Sequence, residues 1–177
     1  MNVFVWVNNV ELWDLYTEDR KFTGLTHIRG EEIPAGYYHL TVHVWIKNCK
    51  GEYLISQRTE NRPTFPLMWE TVGGAVLAGE DSLTAAIRET KEEIGLDLRP
   101  ELGRVLFSRL RSVINGKQYS DIADIWLFQC DESTATPIAT DEVLQSKWMT
   151  REEIEALRTS GELVESLYYF FDKVDIQ

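Results

Sequence analysis

The sequence predicts an α+β fold in which a mixed β-sheet carries helices on its faces. Three observations support this fold: many β-rich runs separated by turn residues, one central helical segment, and helical patterns near the end of the chain. No internal repeat or low-complexity tract interrupts them. A chain of 177 residues is long enough to bury roughly 70% of its unfolded surface as one domain. We therefore expect a single domain over 1–177, with an N-terminal strand extension at 1–36 and a core at 37–177.

Composition and charge limit the partners that the protein can have. The chain is 44% hydrophobic and 27% charged, as in an ordinary soluble globular protein. Its formal net charge is -11 and it has no cluster of Lys and Arg, whereas nucleic-acid polymers are bound by basic patches. We therefore expect a small-molecule partner and no nucleic-acid polymer. A small phosphorylated ligand is compatible with this charge, because bound cations would neutralise it.

Targeting signals are not evident in the sequence. The opening MNVFVWVNN has no basic flank and no small-residue cleavage site, and no stretch approaches the length of a membrane span. Cys49 and Cys130 have neither a metal nor a redox spacing, so we expect buried or half-buried thiols. These observations favour a cytoplasmic protein that does not contact a membrane, and they leave a homodimer open.

The first 36 residues are predicted to form strands joined by turns. An apolar run at 3–7 indicates a strand, and alternating apolar and polar residues at 11–17 indicate another. After the polar turn at 18–20, the segment at 21–28 is suited to pair with 11–17. Gly, Pro and charged residues make 29–36 a loop. We therefore expect an N-terminal β-hairpin ahead of the core.

The core is predicted to begin with a strand at 39–47 that has one buried side. Its alternate apolar residues share a face: Leu40, Val42, Val44 and Ile46. His39 and His43 fall on the opposite face, where a pair of histidines suggests metal ligands but a polar strand face is favoured. A turn at 48–51 leads to a return strand at 52–58.

The rest of the chain alternates strands, loops and helices. The predicted elements are a loop at 59–68, a short strand at 75–77, a helix at 83–94, strands at 102–114 and 118–130, a loop at 131–140, a segment at 142–149 that leads to a last strand around 147–149, and helices at 150–158 and 162–174. Asn115-Gly116 is a strong hairpin signal between the two long strands. Thr150 and Glu153 have the spacing of a helical capping box.

The helix at 83–94 has clear ends and two different faces. Asp81 and Ser82 are N-cap residue types, and Gly95 suits the left-handed position after the helix. At about 100° per residue, the packing side holds Leu83, Ile87, Thr90 and Ile94. The acidic side holds Glu89, Glu92 and Glu93.

These three glutamates form a candidate metal site. Carboxylates at positions i, i+3 and i+4 of a helix repel one another, so the helix gains nothing from them alone. A divalent cation would reverse the sign of that interaction, and hard oxygen ligands suit magnesium or manganese. The simpler alternative is a solvated acidic helix face, which is what most short glutamate-rich runs are.

The stretch at 74–96 carries a longer pattern than these glutamates. It reads GAVLAGEDSLTAAIRETKEEIGL and resembles the Nudix box, G-x5-E-x7-R-E-U-x-E-E-x-G-U, where U is a large aliphatic residue. The matching positions are Gly74, Glu80, Arg88, Glu89, Glu92, Glu93, Gly95 and Leu96. Thr90 departs from the pattern, but its methyl group can pack and its hydroxyl can donate to the carbonyl of Ala86.

The resemblance implies a fold, a reaction and roles for named residues. Nudix proteins fold as an α/β/α sandwich, and Nudix hydrolases use Mg²⁺, with Mn²⁺ as an alternative, to cleave a nucleoside diphosphate linked to a second group. On this chain it implies that Arg88 braces the box and that Gly73 and Gly74 allow close approach of the backbone to the substrate. The implied metal ligands are Glu89, Glu92 and Glu93.

Two rival functions follow from other features. The segment at 36–79 also resembles isopentenyl-diphosphate isomerases, which place a Cys just before the box Gly and a metal-binding His just after it. Here those positions are Gly73 and Ala75, although His39 matches one isomerase histidine and Glu32 stands where another is expected. Hydrolysis is therefore favoured over isomerisation. A nucleotide-sensing domain without turnover is disfavoured, because every charged box position is intact.

Assignments outside the box rest on weaker signals. The nominated general base is Glu142, on a predicted loop, and the alternatives are Asp121, Asp124 and Glu89. Arg58, at the end of a predicted strand, could contact a phosphate or form a surface salt bridge. Three aromatic residues could stack on a base or belong to the core: Phe65, Tyr119 and Trp126.

Overall fold

A computed structural model describes residues 10–114, 117–130 and 139–175, and it confirms the mixed α+β fold. The predicted strand at 3–7, the Asn115-Gly116 turn and most of the loop at 131–140 lie outside these ranges. The strands are β1 Leu12–Tyr16, β2 Phe22–Ile28, β3 His39–Lys47, β4 Tyr53–Arg58, β5 Trp69–Glu70, β6 Val72–Ala75, β7 Gly103–Ile114, β8 Lys117–Gln129 and β9 Val143–Met149. The helices are α1 Ser82–Ile94, α2 Arg151–Ser160 and α3 Phe170–Lys173, with 3-10 turns at Pro100–Leu102 and Glu165–Leu167.

The main sheet is organised around β3. This strand runs parallel to β8, with His39 opposite Asp121, and antiparallel to β6, with Thr41 opposite Ala75. The strand order is β5-β4-β3-β8-β7, while β9 pairs with β4. The parallel β3–β8 pair among antiparallel neighbours makes the sheet mixed, as predicted.

Both faces of β3 are buried, although the sequence predicted only one buried side, and the opposite face carries the expected polar residues His39 and His43. One face packs beneath α1 through the predicted Leu40, Val42, Val44 and Ile46. The other face carries Trp45, which is fully buried against Phe170 of the C-terminal segment, and His39 is only 7% exposed. The C-terminal aromatic residues therefore form a second layer over the sheet, which completes the α/β/α arrangement.

The N-terminal hairpin is confirmed and forms a separate two-stranded sheet, β1–β2. Several contacts fasten it to the core, including a backbone bridge between Tyr16 and Tyr38. Ala78 donates its backbone N–H to the carbonyl of Leu12, and Gly79 donates to Oδ2 of Asp14, both at 2.8 Å. Arg20 forms an ion pair with Asp124 of β8. The hairpin therefore holds the loop that leads into α1.

Helix ends were predicted well. Asp81 caps α1 by accepting from the backbone N–H of Thr84 at 2.8 Å, and Gly95 follows the helix with φ of 72°. The Thr150–Glu153 capping box of α2 is present. Strong local signals of this kind are sufficient because each involves residues only a few positions apart.

Other sequence predictions need correction. The short strand lies at Val72–Ala75 and not at 75–77, because its backbone pairs with β3. The predicted helix at 162–174 is broken, since Trp69 donates to the carbonyl of Glu162 and accepts from the N–H of Val164, which holds that backbone extended. Cys49 is exposed because it lies in the turn after β3, while Cys130 is half-buried, and the two cysteines do not form a disulfide.

Candidate active site

Helix α1 sets the direction of the box side chains. It packs on the sheet through Ala85, Ala86, Thr90 and Ile94. Thr90 is fully buried and its hydroxyl donates to the carbonyl of Ala86 at 2.8 Å, which confirms the contact predicted for this departure from the pattern. With this face on the sheet, the acidic side of the helix faces the loop that follows β6.

Arg88 is the centre of the hydrogen-bond network at this loop. Its Nε and Nη2 donate to the two carboxylate oxygens of Glu80 at 2.9 and 2.8 Å, and Nη2 also donates to the carbonyl of Ala75. Its Nη1 donates to Glu89 at 2.8 Å and to Glu92 at 3.0 Å. One guanidinium therefore joins the loop, the buried Glu80 and two of the predicted metal ligands.

Glu93 differs from the other box glutamates because one of its carboxylate oxygens is buried without a hydrogen bond among the described residues. The residue is 8% exposed, and its Oε2 is buried without a hydrogen bond in the described part of the protein. Burial, followed by the neighbouring charges of Glu70 and Glu89, raises the pKa of the Glu93 carboxyl well above its usual range. A buried acceptor with an unfavourable charge is the feature that a bound cation would relieve.

Two glycines let the backbone approach these groups closely. A Cβ atom on Gly74 would lie 2.2 Å from Oε1 of Glu89, so any side chain here would collide with the carboxylate. A Cβ atom on Gly73 would lie 2.5 Å from the carbonyl oxygen of Val42. Both glycines line the cleft in front of α1, and their side-chain-free backbone keeps that cleft open.

The cleft has a volume of about 360 Å³ and an excess of negative charge. Among the described residues that line it, the carboxylates are Glu11, Glu89, Glu92, Glu93, Asp141 and Glu142. The guanidinium groups are Arg29, Arg62 and Arg88. An anionic cleft of this kind repels a phosphorylated ligand unless cations accompany it.

Glu142 lies in the cleft with the box glutamates, as its nomination requires. Its side chain is 48% exposed, and its Oε1 is 2.7 Å from Nη1 of Arg62. The Nε of Arg62 is buried without an acceptor in the described ranges. Arg29, from the end of β2, also lines the cleft and pairs with Glu11. Arg29 and Arg62 lie on loops far from the box, so no local pattern in the sequence indicated them.

The other candidates lie elsewhere. Arg58 is buried in an ion pair with Glu70, and its Nε donates to the carbonyl of Thr64 at 2.8 Å, so the guanidinium is committed to the protein. Asp121 is bound by Arg111, and Asp124 by Arg20 and Ser108. The aromatic candidates have structural contacts: Phe65 packs on the C-terminal core, Arg111 lies over the ring of Tyr119, and Trp126 is in the core.

The residues of the cleft fit a divalent cation that is shared with a ligand. In the ranges that the structure describes, no three His, Cys, Asp or Glu side chains converge into a complete metal cage. Mg²⁺ does not need one, since it keeps several waters and is usually bound by one or two carboxylates plus substrate phosphates. The unpartnered Oε2 of Glu93, beside the half-buried Glu89, supplies oxygen ligands of that kind.

Comparison with known proteins agrees with this geometry. The NUDIX domain model matches residues 37–170 of the chain. The chain belongs to the Nudix family. It is 36% identical over 167 residues to an uncharacterized Nudix hydrolase of Listeria innocua, a match that covers 93% of this chain and 94% of the relative.

Solved structures show the same Nudix fold. A crystal structure of a Deinococcus radiodurans protein has a TM-score of 0.66 at 27% identity and covers 87% of this chain and 92% of its own. A bifunctional enzyme from Francisella tularensis has a TM-score of 0.59 at 22% identity, over 76% of this chain and 40% of its own. The Nudix sandwich predicted from the sequence is therefore confirmed.

Family membership also decides between the predicted reaction classes. The protein is a Nudix pyrophosphohydrolase, an enzyme that acts on phosphorus-containing anhydrides. The isomerase alternative is not favoured, and Gly73 and Ala75 stand where that enzyme needs a thiol and an imidazole. Divalent metal ions are general in the Nudix family. Within the described residues, no helix is long and apolar enough to cross a membrane.

Proposed function

We propose that this Nudix enzyme uses Mg²⁺ to cleave the pyrophosphate bond of a nucleoside diphosphate joined to a second group. Glu89, Glu92 and Glu93 would hold the metal, and Mn²⁺ would serve as an alternative. The Francisella structure supports this reading, since that protein is an NMN adenylyltransferase and ADP ribose pyrophosphatase complexed with AMP and a manganese ion.

The observation that carries the proposal is the charge of the cleft. Six carboxylates face three guanidinium groups among its described lining residues, and Oε2 of Glu93 is buried without a partner. A purely structural acidic patch would be solvated or paired, because an isolated buried carboxylate is costly. A diphosphate accompanied by cations satisfies both the excess charge and the unpartnered oxygen.

Different residues of the chain would have different roles in the reaction. When bound by these carboxylates, a metal ion would neutralise charge on the diphosphate and activate water. Arg88 keeps the Glu89 and Glu92 carboxylates in place through its donors. Arg29 and Arg62 are positioned to donate to phosphate oxygens, since each pairs with a partly exposed carboxylate in the same cleft.

We infer that Glu142 is the general base. It lines the cleft together with the box glutamates, and its carboxylate is paired with Arg62. When Arg62 turns to a phosphate, the Glu142 carboxylate is free to take the proton of the attacking water. The new P–O bond forms from that water, and the bridging P–O bond breaks towards the leaving phosphate. Asp121 and Asp124 are less suitable, because both are paired within the sheet.

A hydrolysis screen tests the proposed function. Release of phosphate or nucleoside monophosphate would be measured with and without Mg²⁺ over nucleoside di- and triphosphates, nucleotide sugars, ADP-ribose and dinucleotides. We expect metal-dependent cleavage of at least one diphosphate-linked class, with no interconversion of isopentenyl and dimethylallyl diphosphate. Tight binding of a nucleotide without turnover at any metal concentration would instead support the sensing role.

A further inference from the structure

A second pocket lies at the C-terminal layer of the protein, between β7, the end of α2 and the segment around α3. Its volume of about 390 Å³ lies within the roughly 300–1,000 Å³ of pockets that bind small ligands. None of its described lining residues also lines the cleft. We call it the C-terminal pocket, and its principal residues are Phe107, Arg109, Arg158, Tyr168, Tyr169 and Lys173.

The charge balance of the C-terminal pocket is opposite to that of the cleft. Its described lining residues include three cations, Arg109, Arg158 and Lys173, and two carboxylates, Glu165 and Asp172. The whole chain has 29 acidic residues against 18 Lys and Arg, so an excess of cations at one pocket departs from the average composition. An anionic ligand is therefore attracted to this pocket, whereas the carboxylates of the cleft repel it.

Aromatic rings position the cations of the C-terminal pocket. Each cation lies over the face of one ring: Arg109 over Tyr169 at 5.8 Å, Arg158 over Tyr168 at 5.1 Å and Lys173 over Phe107 at 5.0 Å from the ring centre. The ring quadrupole attracts each cation and restricts its long side chain, but it does not neutralise the charge. A ligand that binds these groups therefore loses less free energy to side-chain ordering.

Arg109 and Lys173 keep their charges available to a ligand. Among the residues that the structure describes, neither forms an ion pair with a carboxylate. By contrast, Arg111 lies two positions further along the same face of β7 and is bound by Asp121 through two hydrogen bonds. Arg109 donates from Nη1 to the carbonyl of Ser166 at 3.3 Å, which leaves other guanidinium N–H groups for a ligand.

These two cations also lie close to each other. The rings of Phe107 and Tyr169, over which they lie, have their centres 5.5 Å apart. Arg158 faces the same pocket from the end of α2, and its 3.6 Å contact with Glu155 is a partly exposed pair that contributes little. One small anion can therefore contact donors from more than one element.

We propose that the C-terminal pocket binds the phosphate group of a small molecule directly, without a metal ion. A phosphate dianion has enough acceptor oxygens to take charge-assisted hydrogen bonds from Arg109 and Lys173 together. Inorganic phosphate and a nucleoside monophosphate both present this dianion. The inference is independent of the proposed hydrolysis, because it uses neither the cleft nor the box glutamates.

Calorimetry in metal-free buffer tests this inference. Inorganic phosphate, AMP and adenosine would be titrated into the wild-type protein in the presence of EDTA, where the cleft repels phosphate groups. We expect both anions to bind and adenosine not to bind. Tighter binding of AMP than of phosphate would identify a nucleotide as the ligand, and equal affinities would identify the phosphate group alone. If neither anion binds, or if adenosine binds as well as AMP, the inference is wrong.

Two lysine variants locate the bound phosphate. Lys173→Met removes one exposed cation of the pocket, and the control is Lys147→Met, because Lys147 is also exposed and lies over an aromatic ring, that of Trp69, at 5.3 Å. We expect Lys173→Met to weaken phosphate binding by about 10-fold, as the loss of one charge-assisted hydrogen bond does, and Lys147→Met to stay within about twofold of wild type.

A cleft variant separates this pocket from the proposed active site. Glu93→Gln should bind phosphate in EDTA with the wild-type affinity, whatever its effect on hydrolysis, because Glu93 does not line the C-terminal pocket. Wild-type affinity in Lys173→Met, or a change in affinity in Glu93→Gln alone, would overturn the inference.

Discussion

The cleft and the β7–β8 part of the sheet differ in how their buried charges are paired. Among the described residues of the cleft, Glu93 has a carboxylate oxygen without a partner, and carboxylates outnumber guanidinium groups. Within the sheet, Arg111 and Asp121 bind each other through two hydrogen bonds. A buried pair that satisfies itself contributes to a defined structure, whereas a buried charge left over needs a ligand to be stable. By this criterion, the Glu93 carboxylate is a candidate to bind a charged ligand, whereas Arg111 and Asp121 have a structural role.

We expect the largest effect from removing the guanidinium of Arg88, which holds the box carboxylates in place. Arg88→Ala would leave Glu80, whose side chain is fully buried, without its main partner. Removing one partner of a buried pair costs about 3–5 kcal/mol of unfolding free energy. We therefore expect both stability, measured by chemical denaturation, and turnover to fall. Arg158→Ala, an exposed arginine of α2, is the control; equal stability of the two variants would contradict the bracing role of Arg88.

Two isosteric substitutions compare the unpartnered carboxylate of Glu93 with the paired carboxylate of Asp121. Glu93→Gln removes the unpartnered charge, so we expect turnover to fall by at least about 100-fold while metal-free stability stays unchanged or rises. Asp121→Asn removes the negative charge but keeps one acceptor oxygen for Arg111, so we expect a smaller cost of about 1–3 kcal/mol of stability.

Steady-state kinetics and denaturation measure both variants. Mg²⁺ should also raise the melting temperature of the wild-type protein more than that of Glu93→Gln, since a cation bound to the native state stabilises it by mass action. Full activity of Glu93→Gln would remove this residue from the metal site.

We expect the stability of the protein to depend on pH through His39, which lies near the compensated Arg111–Asp121 pair. Burial, followed by the charge of Arg111, lowers the pKa of His39 to about 4, and the ring stacks on Trp13. Below about pH 6.5 the unfolded chain binds a proton that the folded chain does not, so stability is lost as the pH falls towards 4. Between pH 7 and pH 5 the loss is about 2 kcal/mol.

His39→Phe keeps a stacking ring without a titrating group and isolates this effect. Denaturation at both pH values in metal-free buffer would compare the variant with the wild-type protein. The carboxylates titrate in both proteins and cancel in the comparison. If the variant loses as much stability as the wild-type protein between pH 7 and pH 5, His39 is not the cause.

The smallest expected effect on stability concerns the proposed base. Glu142→Gln should lower kcat by at least about 100-fold at saturating Mg²⁺, because general-base catalysis contributes roughly 10²- to 10⁴-fold, and should leave stability nearly unchanged at this half-exposed site. The control is Glu155→Gln on the exposed face of α2. A wild-type rate for Glu142→Gln would eliminate it from the mechanism and return attention to Glu89.

The sequence was sufficient for those parts of the molecule that depend on residues close together in the chain. The caps of α1, the hydroxyl contact of Thr90 and the close approach at Gly74 all follow from one 23-residue pattern and its spacing. The sequence could not show that Glu93 is buried while Glu92 is exposed, because the tilt of the helix on the sheet decides this. It also missed Arg62 and Arg29, since loops bring them to the cleft from distant positions.

The parallel pairing of β3 with β8 has a consequence for how the protein is made. His39 lies opposite Asp121, and Lys47 opposite Gln129, so the central ladder joins segments 82 positions apart. Closing so long a loop costs entropy before any contact is gained, which makes such pairings slow to form. On a ribosome, the box helix is synthesised well before β8 emerges, and it must wait for the rest of the sheet. The hairpin and the capped α1 can form early, whereas the central ladder must await β8.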